Sequence, residues 1–79
     1  MSTLTPEETL IEALFASDLQ RSDLATPELI RDTVTATVRR HGAQGCAALV
    51  AQEFGEHPET AVCRMRWARS AVQAAFAAG

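Results

Sequence analysis

The chain of 79 residues is predicted to fold as an all-α domain, and three observations lead to this prediction. Apolar residues recur at helical spacing in several segments, and no segment alternates apolar and polar residues as a strand would. Threonine–proline–glutamate start signals precede two of the helical segments. Apolar residues make up 47% of the chain, which favours a folded domain over disorder. We therefore expect one compact four-helix domain spanning 1–79, with helices at about 6–17, 27–41, 46–54 and 58–77.

The first predicted helix begins at a capping signal. Thr5 is suited to the N-cap position, Pro6 to the first helical position, and Glu8 completes a capping box with Thr5. Apolar side chains then recur at helical spacing, and they are Leu10, Ile11, Leu14 and Phe15. The polar stretch 18–25 that follows is predicted to be a linker.

The second predicted helix repeats the same start signal at Thr26-Pro27-Glu28 and ends at Gly42. Its apolar stripe consists of Ile30, Val34 and Val38. The third helix is predicted to be short and to end at Gly55, and Pro58 opens the fourth. The stripe expected on the fourth helix comprises Ala61, Met65, Ala68, Val72, Ala75 and Phe76.

The charge of the chain is divided unevenly between its halves. The formal net charge is −3, but residues 1–37 carry −5 and residues 38–79 carry +2. This division allows a nucleic-acid-binding face on the second half only. The first residues lack the pattern of a signal peptide, and no apolar run could span a membrane, so we expect a cytoplasmic protein with no membrane partner. The two cysteines are expected to be reduced thiols.

Catalytic and metal chemistry are not indicated by the sequence. The metal-capable residues His41, Cys46, His57 and Cys63 have spacings that match no zinc pattern. No glycine-rich phosphate loop occurs, and the carboxylates are not spaced as a catalytic pair. We therefore expect no enzyme activity, catalytic residue, cofactor, bound metal or small-molecule substrate.

Residues 51–72 carry the pattern of a helix-turn-helix. Such a unit needs a small residue where its helices cross and a glycine in left-handed conformation at the turn, and Ala51 and Gly55 meet these needs. The same segment resembles region four of bacterial sigma factors, especially the extracytoplasmic-function type. The matching residues are Ala51, Gly55, Thr60, Arg64, Ala68, Arg69, Ala71 and Val72. The resemblance implies a recognition helix in the major groove of promoter DNA, with Thr60 and Arg64 at bases or phosphates and Arg69 near the backbone.

The fourth helix also suggests a contact face of its own. With its apolar stripe centred on Met65, the opposite side presents Thr60, Cys63, Trp67, Ser70 and Ala74, flanked by Arg64 and Arg66. Tryptophan and arginine dominate binding hot spots. The alternatives are that Trp67 packs on the first helix near Leu14 and Phe15, and that Arg69 pairs with Asp32 or Glu12.

These patterns predict two candidate functions. The first is a small regulatory or accessory protein that acts in transcription, through duplex DNA or a protein of the transcription machinery. Its expected contact residues are Thr60, Arg64, Arg66, Trp67 and Arg69. The second is a non-catalytic helical module that binds another protein. Small residues at the C-terminus are compatible with a dimer interface or with intramolecular packing.

Overall fold

In the computed structural model, residues 7–77 are described and form three helices. Helix α1 spans Glu7–Ala16, α2 spans Pro27–Glu56 and α3 spans Pro58–Phe76. The all-α prediction is confirmed, and none of residues 7–77 lies in a strand. The predicted four-helix architecture is not, because the second and third predicted helices are joined into α2. Thr5 and Pro6, which were predicted to open the first helix, lie outside the described residues.

The joint between the two halves of α2 is a kink at Gly42. Its φ of 72° and ψ of 169° are non-helical, and helical backbone resumes directly after it. The sequence prediction that Gly42 ends a helix was therefore right about the local backbone. The prediction of a loop up to residue 45 was wrong. Gly45 is helical, and a β-carbon there would lie 3.0 Å from the His41 β-carbon, so its missing side chain makes room across the kink.

The predicted start signals of the later helices are confirmed. The Thr26 hydroxyl accepts a hydrogen bond of 3.1 Å from the backbone N–H of Leu29, and Pro27 stands in the first turn. A single residue, His57, joins α2 to α3, and Pro58 opens α3. The His57 side chain caps no backbone group of α3.

The core is built around α1, whose Ile11 and Leu14 are the two largest fully buried side chains among the described residues. Ile11, Leu14 and Phe15 are buried there, and they pack with side chains from both other helices. The remaining buried residues are Ala13, Ile30, Val34, Thr37, Cys46, Val50, Ala61, Ala68, Val72 and Ala75. Thr37 is the polar member of this group, and its hydroxyl donates to the Thr33 carbonyl oxygen at 2.7 Å.

Four of the six residues predicted for the buried stripe of α3 are buried, and they are Ala61, Ala68, Val72 and Ala75. Ala61, Ala68 and Val72 form its centre, whereas Met65 is half-buried and Phe76 is 38% exposed. Met65 was predicted at the centre of the stripe and lies at its edge, because an alanine-rich helix has few bulky side chains to mark its inner side. Arg64 is half-buried as a result, and its side chain lies against α1.

Two features expected of the helix-turn-helix differ in the structure. Gly55 lies inside α2, and Gly42 is the one residue among 7–77 with a positive φ. Ala51 is exposed and does not lie at a helix crossing. The left-handed turn and the close crossing predicted for residues 51–55 are therefore absent from this segment. Along residues 7–77, no helix combines the length and apolarity needed to cross a membrane.

Candidate interaction surface

Arg64 is the most heavily hydrogen-bonded arginine among residues 7–77, and its partners lie at the end of α1. Its Nε donates to the carbonyl oxygen of Phe15 at 2.7 Å. One terminal nitrogen donates to the carbonyl oxygens of Leu14, Ser17 and Leu19 at 3.3, 2.9 and 3.0 Å. The last carbonyls of a helix lack intrahelical partners and carry partial negative charge, so this guanidinium serves as a C-terminal cap supplied by another helix.

The Arg64 guanidinium also lies between two aromatic rings. Its central carbon is 5.7 Å from the centroid of Phe15 and 5.0 Å from that of Trp67. Phe15 in turn stacks on Phe54 with centroids 6.0 Å apart. Burial lowers the pKa of the Arg64 guanidinium, and the carboxylates of Glu53 and Asp18 oppose this effect. Arginine nevertheless stays charged in proteins. The stack of Trp67, Arg64, Phe15 and Phe54 therefore joins all three helices around a cation.

The other predicted contact residues of α3 are dispersed around the helix. Arg69 forms an ion pair of 3.1 Å with Glu8 of α1, and both side chains are largely exposed. A pairing with an acid of another helix was one of the alternatives from the sequence, but the acid is neither Asp32 nor Glu12. Thr60 and Arg66 are exposed. The structure thus brings Arg64 and Trp67 together and leaves Arg66 on a different side of α3.

A second arginine acts as a cap in the same way as Arg64. The Arg31 guanidinium, in the first part of α2, donates to the Ala75 carbonyl oxygen at the end of α3 at 2.8 Å. This role of Arg31 is not evident from the sequence, because the contact joins residues that are far apart in the chain and no local spacing marks it.

Trp67 is half-buried and forms one wall of a mainly apolar groove of about 160 Å³, which we call the Trp67 groove. Its lining comes from the linker, the start of α2 and the second half of α3. The lining residues are Asp23, Ala25, Pro27, Ile30, Trp67, Ala71, Ala74 and Ala75. The alternative in which Trp67 packs near Phe15 holds in part, since the Arg64 guanidinium lies between their rings.

Leu24 stands between Asp23 and Ala25, which both line the Trp67 groove, and it is 100% exposed. It is the middle residue of a tight turn in which the Ala25 N–H donates to the Asp23 carbonyl oxygen at 2.9 Å. The turn is tied to the preceding linker by two more hydrogen bonds. The Asp23 N–H donates to the Gln20 carbonyl oxygen at 2.9 Å, and the Gln20 N–H donates to the Asp23 carboxylate at 2.8 Å. Backbone hydrogen bonds therefore hold an apolar side chain in solvent.

The face of α3 that contains Trp67 is made of uncharged residues. Thr60, Cys63, Ser70 and Ala74 are exposed and share one face of the helix with half-buried Trp67, as the sequence predicted. Arg64 lies beside this face, against the Trp67 ring, and its nitrogens donate to carbonyl oxygens of α1 and the linker. Leu24 stands alone in a polar stretch of the sequence, and its only signal there is an apolar side chain two residues before the helix cap Thr26.

The metal-capable side chains of residues 7–77 do not form a cluster. Within residues 7–77, no three His, Cys, Asp or Glu side chains are placed to hold a metal ion. Cys46 is buried and Cys63 is exposed, and both are free thiols. Burial raises the pKa of the Cys46 thiol, and the charge of Glu12 raises it further.

Comparisons with known proteins add no relative from which a function could be inferred. No protein-family model, curated protein or solved structure matches this chain.

Proposed function

We propose that this chain is a non-catalytic helical module that binds another protein through the Trp67 groove and the adjoining Leu24. The observation that carries the proposal is Leu24, fully exposed on a hydrogen-bonded turn whose flanking residues, Asp23 and Ala25, line a groove with an indole wall. A leucine that becomes buried contributes about 1.5 to 3 kcal/mol relative to one left in water. Leu24 gains none of this free energy within the chain, because it is fully exposed. It gains this free energy when a partner covers the turn.

The composition of the surface fits a protein partner. Tryptophan is enriched at binding hot spots, and the cores of protein interfaces are poor in charged residues. Trp67 is surrounded by alanines and Pro27, and the adjoining face of α3 carries hydroxyl, thiol and methyl groups. Such a surface loses little hydration when it is covered, because few ionised groups must be desolvated.

The competing proposal is a transcription protein with a helix-turn-helix-like C-terminal half that acts on DNA. Binding to DNA depends mainly on basic side chains that meet phosphates. For Arg64 to meet a phosphate, it would have to give up its bonds to the carbonyl oxygens at the end of α1. Arg69 is paired with Glu8, which leaves Arg66 as the α3 arginine that is exposed and outside these contacts. This charge distribution favours the protein-binding proposal.

A photo-crosslinking experiment tests the proposal. The variant Leu24→benzoylphenylalanine is produced in the cells that naturally make the protein, and the cells are irradiated. We expect discrete covalent adducts with protein at this position. The control is the same substitution at Thr35, which is exposed on α2. If both positions give the same background of adducts, or neither gives any, the Leu24 surface is not a protein-binding surface.

A titration with fluorescent duplex DNA distinguishes the competing proposal. We expect no binding that weakens as salt rises, which is the mark of phosphate contacts. Salt-dependent binding that is lost in Arg66→Met would support the transcription proposal instead. The conservative variant Arg66→Lys keeps the charge and would retain such binding.

A further inference from the structure

We infer that Leu24 is a lid of the Trp67 groove, which turns into the groove in the unbound chain and turns out to receive a partner. The inference rests on the proposed function, because it concerns the same surface, and it adds how access to that surface is controlled. The structure describes the open position, in which Leu24 is fully exposed and its two chain neighbours line the groove.

The covalent structure of the turn keeps Leu24 within reach of the groove. Asp23 and Ala25 both line the groove, and Leu24 lies between them in the chain. Neighbouring α-carbons are about 3.8 Å apart, so the Leu24 α-carbon stays close to both lining residues whichever way its side chain points. Residues 23–25 precede α2, so a rotation of their backbone that redirects the leucine side chain breaks no hydrogen bond of a helix.

The Trp67 groove suits a leucine side chain in size and polarity. Its volume is about 160 Å³. An engineered apolar cavity of roughly 150 Å³, made by truncating one buried leucine, accepts a molecule as large as benzene. Trp67 and three alanines of α3 provide apolar walls for the leucine.

The hydrogen bonds that hold the open turn are balanced against the burial of the leucine. The Ala25 N–H donates to the Asp23 carbonyl oxygen at 2.9 Å, and the exposed Asp23 carboxylate accepts from the Gln20 N–H at 2.8 Å. Turning Leu24 inwards breaks the first bond and loosens the second. One such bond changes an equilibrium constant roughly two- to tenfold, and the burial of a leucine changes it roughly ten- to a hundredfold. The opposing effects are of similar size, so both positions of the lid are populated.

The closed lid competes with the partner for the same groove. A partner that needs the open position binds with an affinity reduced by the fraction of chains that are open. The hydrogen bonds of the turn therefore set how readily the surface accepts a partner.

Nuclear magnetic resonance of the full chain tests the inference, because the chain contains a single tryptophan. We expect nuclear Overhauser effects between the Leu24 methyl groups and the Trp67 indole protons, unchanged when the sample is diluted. Leu24→Asn should raise the quenching of Trp67 fluorescence by acrylamide up to roughly twofold, because a lid closed half of the time halves access to the ring. Leu29→Asn is the matched control, since Leu29 is also exposed but does not line the groove, and it should leave the quenching unchanged.

A second variant shifts the lid towards its closed position. Asp23→Ala removes the acceptor of the Gln20 N–H, so the ratio of closed to open chains should rise roughly two- to tenfold and strengthen the Overhauser effects. The control Asp32→Ala, at an exposed position of α2, should leave them unchanged.

Three results would overturn the lid. They are the absence of Overhauser effects between Leu24 and Trp67 in both the wild type and Asp23→Ala, effects that vanish on dilution and so come from a second copy, and equal quenching in the Leu24 and Leu29 variants. Each of these results leaves the proposed function standing, because that function is tested separately by crosslinking at position 24. A lid that closes in a chain without specific crosslinks at position 24 would instead overturn the proposed function alone.

Discussion

The kink in α2 gives a sharp prediction, because the chain provides its own control. Gly42 has φ 72° and ψ 169°, a conformation that is essentially restricted to glycine. A β-carbon added at Gly42 would meet no atom within 4 Å, so Gly42→Ala introduces backbone strain without a collision. The expected loss of stability is about 1 to 3 kcal/mol. A domain of this size has a total stability of about 4 to 12 kcal/mol, so the loss is a large share.

The control is Gly55→Ala. Gly55 also has open space around its α-carbon, but it lies within α2 without a positive φ. Alanine is favoured over glycine in a helix by about 0.5 to 1 kcal/mol, so Gly55→Ala is expected to stabilise the protein or leave it unchanged.

Urea unfolding followed by far-UV circular dichroism measures the two effects. The urea midpoint should fall for Gly42→Ala and should rise or stay unchanged for Gly55→Ala, with similar slopes. In thermal unfolding, each kcal/mol corresponds to roughly 4 to 8 °C for a domain of this length. If Gly42→Ala were as stable as the wild type, or if both variants shifted equally, the kink would not require glycine.

Three further predictions concern the arginine caps and the buried thiol. Arg64→Met should lower the free energy of unfolding by about 2 to 3 kcal/mol, because the carbonyls at the end of α1 lose a charged donor; urea unfolding of the Arg66→Met control should differ from wild type by less than about 0.5 kcal/mol. Arg31→Met should lower it by about 1 kcal/mol and speed amide exchange at the end of α3, and an unchanged exchange rate there would contradict the cap. Because burial raises the Cys46 pKa, the unfolded chain loses this thiol proton first, so stability should fall as the pH rises above about 8.5 and through the raised pKa. The fall should be shallower in Cys46→Ala than in wild type or a Cys63→Ala control, and equal slopes would show that Cys46 does not titrate as argued.

The helix starts could be predicted from the sequence because their signals are local. Thr26 and Pro27 act within one turn of each other, and the N-cap bond to the Leu29 N–H follows from that spacing. The break at Gly42 could be predicted for the same reason. The continuation of α2 through Gly45 could not be predicted from local signals, because it depends on how closely the His41 side chain approaches across the kink.

The candidate surface was only partly predictable, and the reason lies in the alanine-rich composition of α3. The uncharged face around Trp67 followed from helical spacing alone. The environment of Arg64 did not, because it depends on where the end of α1 meets α3. The buried stripe is centred nearer to Ala61 and Ala68 than to Met65, and this position brings Arg64 to the end of α1, where it serves as a cap.

The two arginine caps indicate how this short chain ends its helices. Among residues 7–77, no left-handed glycine follows α1 or α3, although such a glycine is the common way to satisfy terminal carbonyls. Arg64 and Arg31 supply donors from neighbouring helices instead. A cap of this kind also fixes tertiary structure, because it requires the two helices to lie together. In this domain, an arginine on a helix can therefore serve as the cap of a neighbouring helix instead of a nucleic-acid contact, as Arg31 and Arg64 do. The exposed Leu24 and the Trp67 groove therefore replace the arginines of α3 as the candidate binding surface.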